Sequence, residues 1–177
     1  MQPIRNLERV LRAVATSANY LFSLSDLASI LPEQDRNAVT MVASRAIKAG
    51  ILIRPCRGIY LLADTPRNGR ELFHIAAKLR AGFFNYISQE TALSDAGAIS
   101  QIPISRITLM SSGNSARIGC GQYGSIEFTH TKRDLAALSP RLSYDADCRM
   151  LRASVEIAWD DLRAARRNLH LMEREEG

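Results

Sequence analysis

Residues 51–63, ILIRPCRGIYLLA, are apolar at both ends and broken in the middle by Arg54-Pro55-Cys56-Arg57-Gly58. A single helix or strand through this stretch would drag two guanidinium groups into an apolar setting, where an unpaired charge is very costly. The break therefore reads as a turn between two short strands, with Pro55 and Gly58 supplying the turn chemistry and Arg54 and Arg57 flanking its tip. Gly50, just before the run, is placed to end a preceding helix in the left-handed conformation. Whatever fold the chain adopts must deliver a helix, a sharp stop and a hairpin in that order.

The residues upstream supply helices at matching spacing. Leu7, Leu11, Val14 and Ala18 recur at helical intervals from Ile4 to Ala18, with Arg5, Glu8, Arg9 and Arg12 on the other face. Ser23 followed by Asp26 is a capping-box pattern that opens a short second helix, closed by Pro32. Asp35 is then an N-cap for a third helix from Arg36 to Ala49, whose apolar face is Val39, Val42, Ala43, Ala46 and Ile47. Its other face carries Asn37, Thr40, Met41, Ser44, Arg45 and Lys48, with no acid after Asp35. A solvated surface helix usually shows Glu–Lys pairs there. Cations and small polar groups without acids suit a helix entering the major groove, because acids repel phosphate and bulky residues block approach.

Charge distribution points the same way. The chain has a net charge of +5, and residues 1–67 hold 9 Lys/Arg against 5 Asp/Glu, whereas residues 131–177 hold 9 of each. A basic surplus in one segment is the electrostatic footprint of a module that meets a polyanion. Three helices followed by a hairpin is the order of a winged helix-turn-helix, with the hairpin as the wing. Arg36, Asn37, Thr40, Met41, Ser44 and Arg45 are the expected groove contacts, and Lys48, Arg54 and Arg57 the backbone contacts.

Cys56 raises the alternatives of a metal ligand or a reactive thiol. Cys56, Cys120 and Cys148 are far apart and form no CxxC pair, so neither a zinc site nor a disulfide framework is expected. No histidine stands near Cys56 in sequence to activate it. Residues 119–124, GCGQYG, match a dinucleotide-binding pattern, but strand-like alternation follows instead of a helix. These glycines are expected to make a hairpin turn. No cofactor, metal or catalytic residue is expected.

The remaining chain reads as an α+β arrangement: a winged helix over residues 1–64, then a small mixed α/β domain over 65–177 with a long C-terminal helix. Residues 63–70 read as a linker, and a helix follows through Leu72, Ile75, Ala76 and Leu79, with His74 beside its apolar face. FFNYIS reads as a strand, SQETALSDAGAI as a helix capped by Ser88, and SRITLMSS, SARIGC and GSIEFTHT as strands. His130 falls in the apolar set of the last, as a core or edge histidine. From Asp145 to Met172 the chain reads as one helix, with Leu151, Val155, Ala158, Leu162, Ala165, Leu169 and Met172 forming a heptad seam. That seam either packs on the protein's own sheet or joins a second copy as a homodimer or another partner. The first ten residues, MQPIRNLERV, lack the apolar stretch of a secretory signal, and no run is long enough to span a bilayer, so a soluble cytoplasmic protein is expected.

Two blocks carry a family resemblance. LFSLSDLASIL with AVTMVASRAIKAGILIRPCRGIYLLA is similar to the N-terminal winged helix of the AbiEi family, antitoxins of type IV toxin–antitoxin systems. YISQETALSDAGAISQIPISRITLMSS followed by GQYGSIEFTHTK resembles that family's middle region. The resemblance covers roughly residues 20–132. It implies a prokaryotic repressor that binds inverted repeats in double-stranded operator DNA of its own promoter and counteracts a nucleotidyltransferase toxin encoded beside it. Two other readings stay open: a stand-alone winged-helix transcription factor whose second domain dimerises or senses a ligand, and a protein-interaction module whose winged helix binds a protein.

Overall fold

The structure, a computed structural model, describes residues 2–100 and 105–165. The chain divides into two compact units, Met1–Leu79 and Arg80–Gly177.

In the first unit, α1 (Pro3–Val14) begins with proline at its first turn, where the missing amide hydrogen is not needed. It buries Leu7 and Leu11. The helix stops four residues short of the expected Ala18, and Val14 (45% exposed) and Ala18 face solvent. Thr16 is the reason: its hydroxyl accepts from the Ala18 and Asn19 amides, and its backbone pairs with Asn19, closing a turn in place of another helical one. A strand absent from the sequence reading, β1 (Leu21–Ser23), leads into α2 (Leu24–Ile30). Both halves of the Ser23–Asp26 capping box are formed.

α3 (Arg36–Lys48) is capped by Asp35, which accepts from the Ala38 amide at 2.8 Å. Its far end is a Schellman motif. Gly50 takes φ 73°, its amide reaches the Ile47 carbonyl, and the Ile51 amide reaches that of Ala46. The chain then enters β2 (Leu52–Cys56) and β3 (Ile59–Leu62), an antiparallel hairpin to which β1 adds on the other side, in the order β1-β3-β2. Leu7, Leu11, Leu27, Val39, Val42, Ala46, Leu52 and Leu62 form one buried cluster between the three helices and this sheet. Helix α4 (Glu71–Leu79) belongs to the same unit: the Tyr20 hydroxyl lies 2.7 Å from His74 Nδ1, and Lys78 Nζ is 2.8 Å from Asp26.

The second unit holds β4 (Asn85–Ile87), α5 (Gln89–Asp95), β5 (Arg106–Ser111), β6 (Ala116–Gly119), β7 (Ser125–His130), α6 (Leu135–Leu138), β8 (Ser143–Asp145), β9 (Met150–Arg152) and α7 (Val155–Ala164). Its strands form a mixed sheet in the order β6-β7-β5-β4-β9-β8, with β5 parallel to β7 and β4 parallel to β9. Helices α5 and α7 pack against each other, and α5 also against β5. The mixed helix-and-sheet composition agrees with an α+β class.

One expectation fails here. Residues 143–152 are a strand hairpin, not the start of a long helix, and Leu151 pairs with Tyr86 and Tyr144 in the sheet. Asp145 accepts from the Cys148 amide at 2.9 Å, and Arg149 takes φ 53°, so DADCR closes a turn. The helix begins only where Ser154 caps it through the Ile157 amide. Of the expected seam, Leu151 is on a strand, Val155 is 39% exposed, and Ala158 and Leu162 are fully buried within their own unit. Ala165 ends α7, and Leu169 and Met172 lie outside the described residues. Residues 151–165 therefore do not form one continuous helical seam.

Candidate nucleic-acid interface

α3 sorts its side chains cleanly. Val39, Val42, Ala43 and Ala46 are buried, while Arg36, Asn37, Thr40, Met41, Ser44, Arg45 and Lys48 are all exposed. The Thr40 hydroxyl donates to the Arg36 carbonyl at 2.9 Å, which leaves its lone pairs outward. Met41 is 65% exposed in the middle of this polar face.

The hairpin adds a second element of the same unit. Cys56 pairs with Ile59, so the connection is Arg57-Gly58, and Gly58 takes φ 81°. Only glycine adopts that angle without strain, so the turn is built around it. Arg57 sits at the tip and is exposed. Arg54 and Pro55 lie within β2, not in the turn, at a register shift between Ile53 and Cys56. Proline is tolerated there because β2 is an edge strand. Arg54 stays exposed, its guanidinium 6.0 Å from the Tyr60 ring centroid.

Ion pairing separates these cations from Arg12, Arg67 and Lys78 of the same unit. Arg12 is bound to Glu8 and Asp64, Arg67 to Glu71, and Lys78 to Asp26. Among the described residues, no acid pairs with Arg36, Arg45, Lys48, Arg54 or Arg57. Exposed guanidinium and ammonium groups without an internal partner remain free for phosphate or base edges.

The second unit has a polar centre that the sequence reading missed. Asp161, 1% exposed, accepts from the Tyr86 hydroxyl at 2.9 Å, the Ser88 hydroxyl at 2.7 Å and Arg133 Nε at 2.8 Å. Ser88 stands at the N-cap of α5, as expected, but its hydroxyl serves Asp161 and makes no cap bond. Burial first, then the charge of Asp161, raises the Tyr86 phenol well above its ordinary value, so it stays a donor. Beside it, Thr108 exchanges hydrogen bonds with Thr91 and donates to the Ser88 carbonyl, tying α5 to β5. Gln89 breaks this pattern. It is fully buried, takes φ 54°, and both side-chain amide atoms lack a hydrogen-bond partner among the described residues. The spacing of Ser88 to Asp161 gives sequence reading no handle, because the pair meets only through the fold.

The glycine-rich segment is a hairpin connection. Gly121 and Gly124 take φ 54° and 107° between antiparallel β6 and β7, and a Cβ on Gly124 would collide with the Ser105 carbonyl. His74 is buried against Tyr20, while His130 is exposed at the end of β7 with Nδ1 2.9 Å from the Gly113 carbonyl. It is thus a strand-end residue and not part of the core. Cys56 is half-buried, Cys120 and Cys148 are buried, and none of the three is in a disulfide. Among the described residues, no helix is long and apolar enough to cross a membrane.

The sequence matches no family model and no curated protein. Among solved structures, the fold is similar to that of the RV2827C protein from Mycobacterium tuberculosis, with a TM-score of 0.51 and 16% sequence identity. The match covers 86% of this chain and 57% of that one, so the chain spans little more than half its length. At this identity the likeness speaks for the fold alone.

Proposed function

We propose that the first unit is a winged helix-turn-helix that binds double-stranded DNA, with α3 in the major groove and the β2–β3 hairpin as the wing. The observation that carries this reading is the exposed, acid-free α3 face whose cations have no acidic partner among the described residues. The element order and the β1-β3-β2 sheet support it, since they set a helix and an arginine-tipped hairpin in one small unit. Asn37 is suited to adenine and Arg45 to guanine, each as a two-point hydrogen-bonding partner, while Lys48, Arg54 and Arg57 hold phosphate.

The function follows as transcriptional regulation in the cytoplasm, by repression of the protein's own operon. The AbiEi resemblance extends it to an antitoxin that counteracts a neighbouring nucleotidyltransferase. That extension rests on the two sequence blocks quoted above.

The test is a titration of the full chain with the duplex upstream of its own coding sequence, against a random duplex, across salt concentrations. If about five cations neutralise phosphates, log K falls against log salt with a slope of about −4 to −5. A flat salt response would overturn the DNA reading. For the antitoxin, co-expression with an adjacently encoded nucleotidyltransferase should restore growth, and continued growth arrest despite folded protein would overturn it.

A further inference from the structure

An exposed methionine in the centre of a polar helix face needs an explanation that charge does not provide. Met41 is 65% exposed, while its neighbours on the same ridge are polar: Asn37 four residues before and Arg45 four residues after. Ser44 and Thr40 beside it are small, so the thioether stands clear of them. The other large apolar side chains of α3 are buried, as Val39 and Val42, or packed partly buried against the core, as Ile47, so the methionine is no extension of the buried face.

We propose that Met41 reads the C5-methyl group of a thymine, and is a specificity-determining residue of the interface. This rests on the DNA reading above. Arg36, Arg45 and Lys48 around it, which pair with no acid among the described residues, favour a polyanion as the surface that covers it. Within the major groove, the thymine methyl is the apolar feature that sets one base pair apart from the others. A flexible, polarisable thioether is well suited to such a contact. Helical rise places Asn37, Met41 and Arg45 about 6 Å apart in sequence order, or roughly two base pairs per step. The operator half-site therefore carries a thymine methyl between the adenine met by Asn37 and the guanine met by Arg45.

The test uses the full chain to select duplexes from a random pool, then replaces each thymine of the selected motif singly by deoxyuridine, which lacks only the methyl. At one position the replacement should weaken binding by about 3–5-fold, the effect of one buried methyl. Met41→Ala should bind the thymine and uracil duplexes equally, while Met41→Leu keeps the difference. If a motif is selected but no uracil replacement matters, or Met41→Ala keeps the full difference, this inference falls and the DNA reading stands. If Met41→Ala changes the sedimentation mass and leaves the uracil effect intact, the residue is a protein contact and the inference is overturned. If no duplex is enriched at any salt, both readings fall together.

Discussion

The exposed face of α3 and its hairpin treat arginine differently from the sheet of the second unit. On α3 and the β2–β3 hairpin, Arg36, Arg45 and Arg57 are exposed and pair with no acid among the described residues. In the second unit Arg133 is bound to Asp161, Arg152 bridges Asp95 and Asp145 at 2.8 Å each, and Arg106 and Arg117 share Glu127. Arg80 lies 4.3 Å from the Phe128 ring centroid and donates to the Asn114 carbonyl. The two units already differ in net charge, since residues 1–79 hold 11 Lys/Arg against 6 Asp/Glu and residues 80–177 hold 12 of each, and ion pairing adds to that difference. What matters for binding a polyanion is charge left without an acidic partner, and one helix face and one hairpin of the first unit gather five such cations.

Breaking the buried centre should give the largest effect. Asp161→Asn removes the countercharge of Arg133 and disturbs the acceptor of Tyr86 and Ser88. We expect a loss of about 2–4 kcal/mol in urea unfolding, below the full value for a buried pair because Arg133 is partly exposed. A loss under about 0.5 kcal/mol would show that the centre does not hold the second unit together.

The mirror experiment is Arg45→Ala. It should cost about 1–3 kcal/mol on the preferred duplex and relax sequence preference, with unfolding within about 0.5 kcal/mol of the native chain. Arg57→Ala should weaken preferred and random duplexes alike and make the salt slope shallower by about one. Equal losses on both duplexes for both variants would refute the division between groove and backbone contacts.

Gln89 sharpens the comparison from inside the second unit. If its unpartnered amide is only a burden, Gln89→Met should stabilise the chain by about 1 kcal/mol, since an apolar group of similar shape needs no partner. Destabilisation would show that the amide is engaged in the folded protein.

The smallest effect concerns a surface pair of the first unit. Burial pushes the Asp26 carboxyl up, but Lys78 and the amide and hydroxyl of Ser23 together draw it below its ordinary 3.8. A carboxylate lowered on folding stabilises above its unfolded pKa, and that contribution fades as pH falls through the folded one. Thermal unfolding of the native chain should therefore weaken between about pH 5 and pH 2, and Asp26→Asn should flatten part of that decline. An unchanged pH profile would remove Asp26 from the account.

Much of the first unit was legible because its signals are local. Ser23 and Asp26, Asp35, Gly50 and Gly58 each act on backbone within a few residues, so their patterns translate directly into caps and turns. The α3 face was legible for the same reason, since helical spacing separates Val39, Val42 and Ala46 from Asn37, Ser44 and Arg45. The strand β1 was not, because three residues carry no period, and their pairing with β3 joins segments far apart in the chain. The C-terminal reading failed where two periods overlapped. Leu151 and Val155 fit a helical step, yet the Asp145 turn and the pairing with β4 made Leu151 a strand residue.

The sequence by itself determined where α3 starts and stops, which of its side chains are polar, and that a glycine turn follows with an arginine on it. These outcomes depend on contacts within a few residues, which any compact fold must respect. Only the tertiary structure decided which arginines are left unpaired, that Pro55 lies in an edge strand, and that Ser88, Tyr86 and Arg133 converge on Asp161. The physical reason is distance along the chain. A hydrogen bond between residues 73 positions apart, as from Ser88 to Asp161, exists only after strands and helices have packed, and no local pattern records it.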